Sequence, residues 1–463
     1  MHQQETTNTA RNIPEDLNAA ILSFGRDIFS QIGKEQPSAF NKNFWAGRIM
    51  EWAMTRPEFK INMFRLVDVL PALRNSRAVA AHVNEYLGTV AKDLHGLAEW
   101  GLNVKPDSIR AKLTAAIVRK SVKEMANQFI AGETPKTALK ALRRLRKQKT
   151  AFTVDLLGEY SVSEKEAEQY MQRYLEALEI LSDEVRKWPE SAPIIEGHPG
   201  ETTPVCVSVK LTALYSQSSP LNFKRSVSIL SERLARIASK AKEKEASLYI
   251  DAEDYASNPI ILEVFKNVFS SREFLDFPYP GIVVQAYAKE SRQVMEDIIA
   301  FAKKRNNPLA VRLVKGAYWD METVLSSQRN WPSPLFAKKS TTDANYELLS
   351  RILIDNHKIC LPAFGSHNIR SLSHACCYAK ASGLTERDFE LQMLYGMAEP
   401  IGRAFAARGY LVRFYVPLGE MIPGMGYLVR RLLENTSNES FLRHTFFDSE
   451  EIDRLLAEPE PAE

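Results

Sequence analysis

The chain has 463 residues, 45% hydrophobic and 25% charged, a composition ordinary for a globular protein. Its 60 basic and 57 acidic residues leave a net charge of +3, which neither calls for nor excludes an anionic partner. The four cysteines (Cys206, Cys360, Cys376, Cys377) make no Cys-x-x-Cys pair and the eight histidines no His-Glu-x-x-His, so a reducing compartment is expected and a disulfide framework or metal site is not.

The N-terminus, MHQQETTNTARNIPEDL, carries acids and no apolar h-region, unlike a secretory or transit peptide. No apolar run approaches the roughly 18 residues of a spanning helix, so any membrane contact is expected to be peripheral. Residues 1–150 read as almost wholly helical. Leu17, Ile21, Phe24, Ile28 and Ile32 form a stripe at helical spacing, and further helices are expected over 43–55, 58–70, 74–95 and 107–130, punctuated by Pro57, Pro71, Gly101 and Pro106. This part is read as an arm and helical domain that packs on the main body or on a second subunit. The basic stretch 136–149 predicts a helix with a solvated charged face; without a groove-entering motif beside it, no nucleic-acid partner is expected.

From residue 151 short β-rich runs alternate with longer helical ones. The runs are 151–157, 205–211, 248–253, 282–287, 309–315, 359–364, 389–394 and 410–416, with helices expected at 162–187, 222–244, 257–270, 290–304, 342–356 after a long loop, 368–382, 397–408 and from 427. Eight strand–helix units in a row predict a parallel sheet closed as a (βα)8 barrel. The competing fold, an open doubly wound sheet binding a dinucleotide, would normally carry a Gly-rich turn after its first strand, and neither Gly-x-Gly-x-x-Gly nor a Walker-type sequence occurs. In such a barrel the strands' C-terminal ends form the site. Those ends carry Asp155 and Glu159, Lys210, Asp251, Gln285 and Tyr287, Arg312 and Lys315, His367, Gln392 and Tyr415. The mouth is therefore rich in donors and suits an anionic ligand.

The last of these helices places Tyr427, Arg430, Arg431 and Glu434 on one face, since offsets of three, four and seven are neighbours. Alone it reads as a charged face with surface ion pairs; at the rim of a donor-rich mouth, two adjacent guanidinium forks suit a planar carboxylate.

Several stretches resemble the proline dehydrogenase family, most closely the catalytic region of bifunctional bacterial proline utilisation A flavoproteins. They are Val207–Leu214 (VSVKLTAL), Ile250–Glu253 (IDAE), Val284–Tyr287 (VQAY), Arg312–Asp320 (RLVKGAYWD), Ser366–Asn368 (SHN) and Tyr427–Asn435 (YLVRRLLEN), with Ser440 and Phe441 beyond. The resemblance spans roughly 151–450. It implies a helical unit over 1–150, a barrel over 151–440 and a tail over 441–463. It also implies an FAD-dependent oxidation of L-proline to Δ1-pyrroline-5-carboxylate, the first step of catabolism to glutamate, with electrons passed to a membrane quinone. Arg430, Arg431 and Lys210 are then expected to meet the proline carboxylate, Tyr427 and Leu394 to wall the proline ring, Tyr318 to belong to the catalytic site, and Tyr415 to lie beside the ring, where a phenol disfavours 4-hydroxyproline. Glu434 is expected to brace the arginines, and Asp251 to orient groups near the flavin and Tyr415. The cofactor is expected to meet Asp251, Ala252, Gln285, Arg312, Val314, Lys315, Gly316, Ala317, Tyr318, Trp319, Lys339, Thr341, Thr342, His367, Asn368, Gln392, Leu394, Glu434, Ser440 and Phe441. Arg312 is placed near the reactive flavin nitrogen.

The chain departs from the family at Ser366, where Thr is expected, and in its loop Lys338–Thr342. It also stops too soon after the barrel to hold the aldehyde dehydrogenase domain of bifunctional relatives, so the expectation is a monofunctional protein or an excised part that lacks that partner domain. A cytoplasmic location, peripheral on the inner membrane, and a homo-oligomer are compatible with the family. No amine base stands out. Two alternatives stay open: a flavin barrel acting on another cyclic or N-substituted amino acid, and a barrel that serves as a scaffold without catalysis.

Overall fold

The computed structural model describes residues 16–34, 62, 65–66, 69–88, 105, 108–189, 203–397, 399–420, 424, 427 and 449–460. Its centre is a closed barrel of eight parallel strands in sequence order, β1 (Ala151–Leu156), β2 (Cys206–Val209), β3 (Ser247–Ile250), β4 (Gly281–Gln285), β5 (Leu309–Val314), β6 (Cys360–Gly365), β7 (Glu390–Leu394) and β8 (Leu411–Leu418). The open-sheet alternative is excluded: β1 pairs with β2 on one side and with β8 on the other, over Ala151↔Arg413 to Leu156↔Leu418. The strands are buried along almost their whole length, as expected for a parallel sheet covered by helices.

Before the barrel come α1 (Leu17–Lys34), α2 (Ser76–Leu87), α3 (Ile109–Phe129) and α4 (Pro135–Lys147). The stripe on α1 packs against the outer helices of the barrel's second half: Ile21, Ile28 and Ile32 are buried, and the Phe24 ring lies 6.0 Å from that of Phe405. Helices α2 and α3 form a smaller core with Leu157, Met397 and Tyr427, which seats them on the barrel rim beside β1 and β7. The helix expected over 43–55 and most of that over 58–70 lie outside the described residues.

Helix α4 is capped by Thr134, with Thr137 reciprocating and Pro135 at its first position. Its basic face departs from the solvated face expected from the sequence. Arg146 is buried with its guanidinium 4.5 Å from the Phe152 ring centre, and donates to the Pro204 carbonyl. Burial, with Arg413 nearby, lowers its pKa to about 9.

The barrel helices are α5 (Glu164–Val185), α6 (Phe223–Glu243), α7 (Asn258–Phe269), α8 (Ser291–Arg305), α9 (Trp319–Gln328), α10 (Lys339–Asp355), α11 (Ile369–Ala381) and α12 (Glu399–Ala406). Helix α9 corrects the expected long loop after β5. Its Trp319, Met321 and Val324 are exposed, so no apolar stripe marks it in the sequence, while acidic Asp320 and Glu322 sit in its first turn, where the helix dipole favours them. A final helix, α13 (Ser449–Leu455), follows. Among the described residues no helix is long and apolar enough to cross a membrane, and no cluster of potential metal ligands occurs.

Candidate active site

The C-terminal ends of the strands open into a cleft of about 960 Å³. At its inner end four side chains from four strands converge. Arg312 leaves β5 and donates from Nη1 to Asp251 Oδ1 at 2.7 Å, from Nε to Gln392 Oε1 at 2.6 Å and from Nη2 to Ser208 Oγ at 3.1 Å. Its guanidinium also lies 4.1 Å from the Tyr249 ring centre. The second oxygen of Asp251 accepts from Tyr415 OH at 2.6 Å and from Lys210 Nζ at 3.3 Å. Lys210 also donates to Tyr415 OH at 2.9 Å and to Asp155 Oδ1. The register explains the last contact. Asp155 stands opposite Ser208, so Lys210, two residues on, rises on the same face just above it.

The network continues downward. Gln392 donates to Glu390 Oε2 at 2.9 Å, and Glu390 is held by Arg413 at 2.7 Å. The charged groups of this network are all buried, with Tyr415 half-buried beside them, so each charge needs its partner. Burial opposes the Lys210 ammonium, but Asp155, Tyr415 and Asp251 outweigh it and hold its pKa well above the usual lysine range. Burial pushes Asp155 up to about 6, against the pull of Lys210. Nearby, burial raises Glu253 to about 8 even though it accepts the N–H and hydroxyl of Thr212.

From this cluster the cleft runs over the ends of β5 and β6. Val314, Lys315, Gly316, Ala317 and Tyr318 line one side, with the Tyr318 hydroxyl reaching Glu159 Oε1 at 3.0 Å across the mouth. Gly316 has φ +131°, and a Cβ there would come 2.4 Å from the Tyr287 ring, so only glycine lets the backbone turn over that ring. Lys315 and Lys339 share Asp343, Lys339 at 3.0 Å. His367 and Asn368 follow β6; Asn368 caps α11 by accepting from Ser371 N at 3.0 Å, and His367 Nε2 accepts from Leu394 N at 3.0 Å. Ala252, Gln285, Leu394 and Tyr427 complete the walls.

The structure thus brings together Lys210, Asp251, Arg312, Gln392 and Tyr415, and sets Ala252, Gln285, Val314–Tyr318, Lys339, His367, Asn368, Leu394 and Tyr427 along one cleft. Trp319, Thr341 and Thr342 do not line it. Trp319 donates its ring N–H outward to the Phe336 carbonyl at 2.9 Å, and Thr342 is buried on α10. Arg430, Arg431, Glu434, Ser440 and Phe441 lie outside the described residues. The sequence reading gave no role to Asp155, the anchor of Lys210, or to Asp343, whose Lys-x-x-x-Asp spacing with Lys339 on one helix face was a usable signal. It also missed Arg370 and residues 454–460 at the outer end of the cleft, for which no local pattern exists.

Barrel and converging ion pairs define a (βα)8 protein whose mouth is lined by cationic and polar side chains. A family model described as proline dehydrogenase matches residues 138–444, and one described as proline utilization A N-terminal domain matches residues 18–129. The chain belongs to the proline dehydrogenase family. The bifunctional protein PutA of Salmonella typhimurium is 30% identical over 372 residues, covering 78% of this chain and 27% of the relative. Proline dehydrogenase 2 of Bacillus subtilis is 27% identical over 317 residues, covering 68% of this chain and 88% of the relative. The crystal structure of proline utilization A from Bdellovibrio bacteriovorus inactivated by N-propargylglycine superposes with a TM-score of 0.86 at 42% identity, covering 96% of this chain and 45% of that one. The chain therefore spans less than half the length of these proline utilization A relatives, 27% of one and 45% of the other.

Proposed function

We infer that this chain oxidises L-proline to Δ1-pyrroline-5-carboxylate with FAD as cofactor, and that a quinone takes the electrons. The observation that carries the reading is the Lys210–Asp251–Arg312–Tyr415 cluster at the inner end of a cleft of about 960 Å³. The donor set fits FAD. Arg312, Gln285 and Gln392 suit the polar edge of a flavin ring; Lys315, Lys339, His367 and Asn368 suit its ribityl and phosphate parts; the Gly316 turn leaves room for backbone approach. Here FAD supplies a hydride acceptor for proline C5.

The protein's own groups do the rest. Lys210, with Arg430 and Arg431, holds the substrate carboxylate, while Tyr318, Leu394, Tyr415 and Tyr427 wall the substrate pocket. Arg312, fixed by Asp251 and Gln392, presents a cation that needs no reorganisation when negative charge develops beside it. Only the neutral amine has the lone pair that expels the hydride, so the substrate must shed its ammonium proton at or before that point. The domain division at 150 and 440, a cytoplasmic site of action with peripheral membrane contact, and an aldehyde dehydrogenase partner that consumes the product belong to the same reading.

The test is an anaerobic visible spectrum before and after L-proline. A yellow protein that bleaches with L-proline, and not with D-proline or hydroxyproline, is expected. A yellow protein that does not bleach would overturn the substrate, and a colourless one that FAD cannot reconstitute would overturn the cofactor.

A further inference from the structure

The proposed reaction needs an acceptor for the proton of the substrate amine, and one buried carboxylate in the cleft has an oxygen to spare. Asp155, near the end of β1, lines the inner cleft and is fully buried. Its Oδ1 accepts from Lys210, while its Oδ2 has no hydrogen-bond partner among the described residues. A buried carboxylate oxygen without a donor is costly and calls for a reason.

The neighbouring carboxylates are engaged or remote. Asp251 gives one oxygen to Arg312 and the other to Tyr415 and Lys210. Glu253 accepts from Thr212 with both oxygens, and Glu159 accepts from the Tyr318 hydroxyl. Asp343 is held by Lys315 and Lys339, and Glu458 and Glu460 stand at the outer end of the cleft.

The surroundings of Asp155 set its chemistry. Lys210, Asp251, Tyr415 and, from α5, Tyr170 and Tyr174 are the charged and titratable groups that act on it. Burial outweighs the pull of Lys210 and lifts its pKa to about 6, close to where a general base works best at neutral pH. When Asp155 takes up a proton, Lys210 keeps Asp251 and Tyr415 as partners.

Reach follows from the shape of the substrate. In a cyclic α-amino acid the nitrogen and the carboxylate share one carbon. A carboxylate received by Lys210 therefore brings the amine beside the groups bonded to that lysine, and of its two carboxylate partners Asp155 is the one with an uncommitted oxygen. An ammonium and a carboxylate buried side by side are both penalised, and passing the proton between them neutralises both.

We propose that Asp155 is the general base of the reaction, with Oδ2 taking the ammonium proton of the substrate. The N–H bond breaks and an O–H bond forms on Asp155. The electron pair left on nitrogen forms the C=N bond as the hydride leaves C5 for the flavin. The proton passes to solvent through the cleft once the product departs. The proposal rests on the proline reading above.

The experiment measures the second-order rate constant for anaerobic flavin reduction by L-proline from pH 5 to 10 in the holoenzyme. It compares wild type, Asp155→Asn and Asp155→Glu, with the bound-flavin spectrum and melting temperature as checks on folding. Wild type should hold a plateau above about pH 6 and fall about tenfold per pH unit below it. Asp155→Asn should lose about 100-fold or more at pH 7. Its rate should climb about tenfold per pH unit across the range, because only amine already neutral in solution can react. Asp155→Glu should restore the plateau. Loss of the Lys210 anchor alone would lower the rate by one factor at every pH, so an Asp155→Asn protein with the wild-type profile overturns the base. If Asp155→Asn does not fold, wild type decides with 3,4-dehydro-L-proline, whose amine is less basic. A bend at the same pH for both substrates belongs to the enzyme, and one that moves with the substrate overturns the proposal. A wild type reduced by L-proline at no pH overturns the proline reading as well.

Discussion

Asp251 uses both of its oxygens, one for Arg312 at 2.7 Å and the other for Tyr415 at 2.6 Å, so a single buried carboxylate fixes two groups from different strands, β5 and β8. Lys210 shares the second oxygen. Asp251→Asn keeps the shape and removes the charge that balances two buried cations. It should cost about 3–5 kcal/mol in stability, read by urea unfolding, as for a broken buried pair. An Asp251→Asn protein as stable as wild type would show the pair to be dispensable.

Tyr415 presents its hydroxyl to Asp251 and Lys210, so the ring stands across the pocket at a fixed angle. Shortening it to Ser should open space for a ring hydroxyl on the substrate. Tyr415→Ser should gain turnover of 4-hydroxyproline while its KM for proline rises. Steady-state assays with both substrates decide the point, and no gain with hydroxyproline would remove the proposed role of the phenol.

Arg430 belongs to the carboxylate grip on the proposal above. Arg430→Met should raise KM for proline by the equivalent of about 2–5 kcal/mol, with a smaller effect on kcat. An unchanged KM would transfer the carboxylate to Lys210 and other groups.

Burial lowers Lys315 to about 8, with Lys339 adding to the fall and Asp343 opposing it. In the ligand-free protein the ammonium is therefore present below pH 8 and lost as pH rises through that value. An anion bound beside it favours the charged form, so cofactor affinity should be flat below about pH 8 and fall above it. Dissociation constants measured from pH 6.5 to 9.5 test this, with Lys315→Met expected to abolish the bend.

Gly316 lies beside Tyr287 with φ +131°. Gly316→Ala should destabilise the protein by about 1–3 kcal/mol and weaken flavin retention, because the turn carrying Lys315 and Ala317 must move. Thermal melts with and without added FAD separate the two effects.

The strands were legible because each is a short, mostly apolar run alternating with a longer helical one, and their observed limits differ from the sequence reading by only a few residues. The end-of-strand residues followed from the barrel rule, which is why Lys210, Asp251, Arg312 and Gln392 could be named together. What stayed hidden depended on tertiary placement. The Asp155–Lys210 pair needs the β1–β2 register, α9 buries no apolar face, and the contact of Leu456 with Arg370 joins segments that share no local pattern.

The fastening of residues 454–460, which wall the outer end of the cleft, bears on the order of folding. Arg26 and Asp453 pair across 427 positions, and Asn18 meets Arg370 across 352. Contacts so distant in sequence carry a large loop-closure cost and form late. The barrel can close and assemble its ion pairs while the outer end of the cleft is still incomplete, so the inner cluster matures before the outer wall. The cleft is then complete only at the last stage of assembly, when the two remote ends of the described chain have come together.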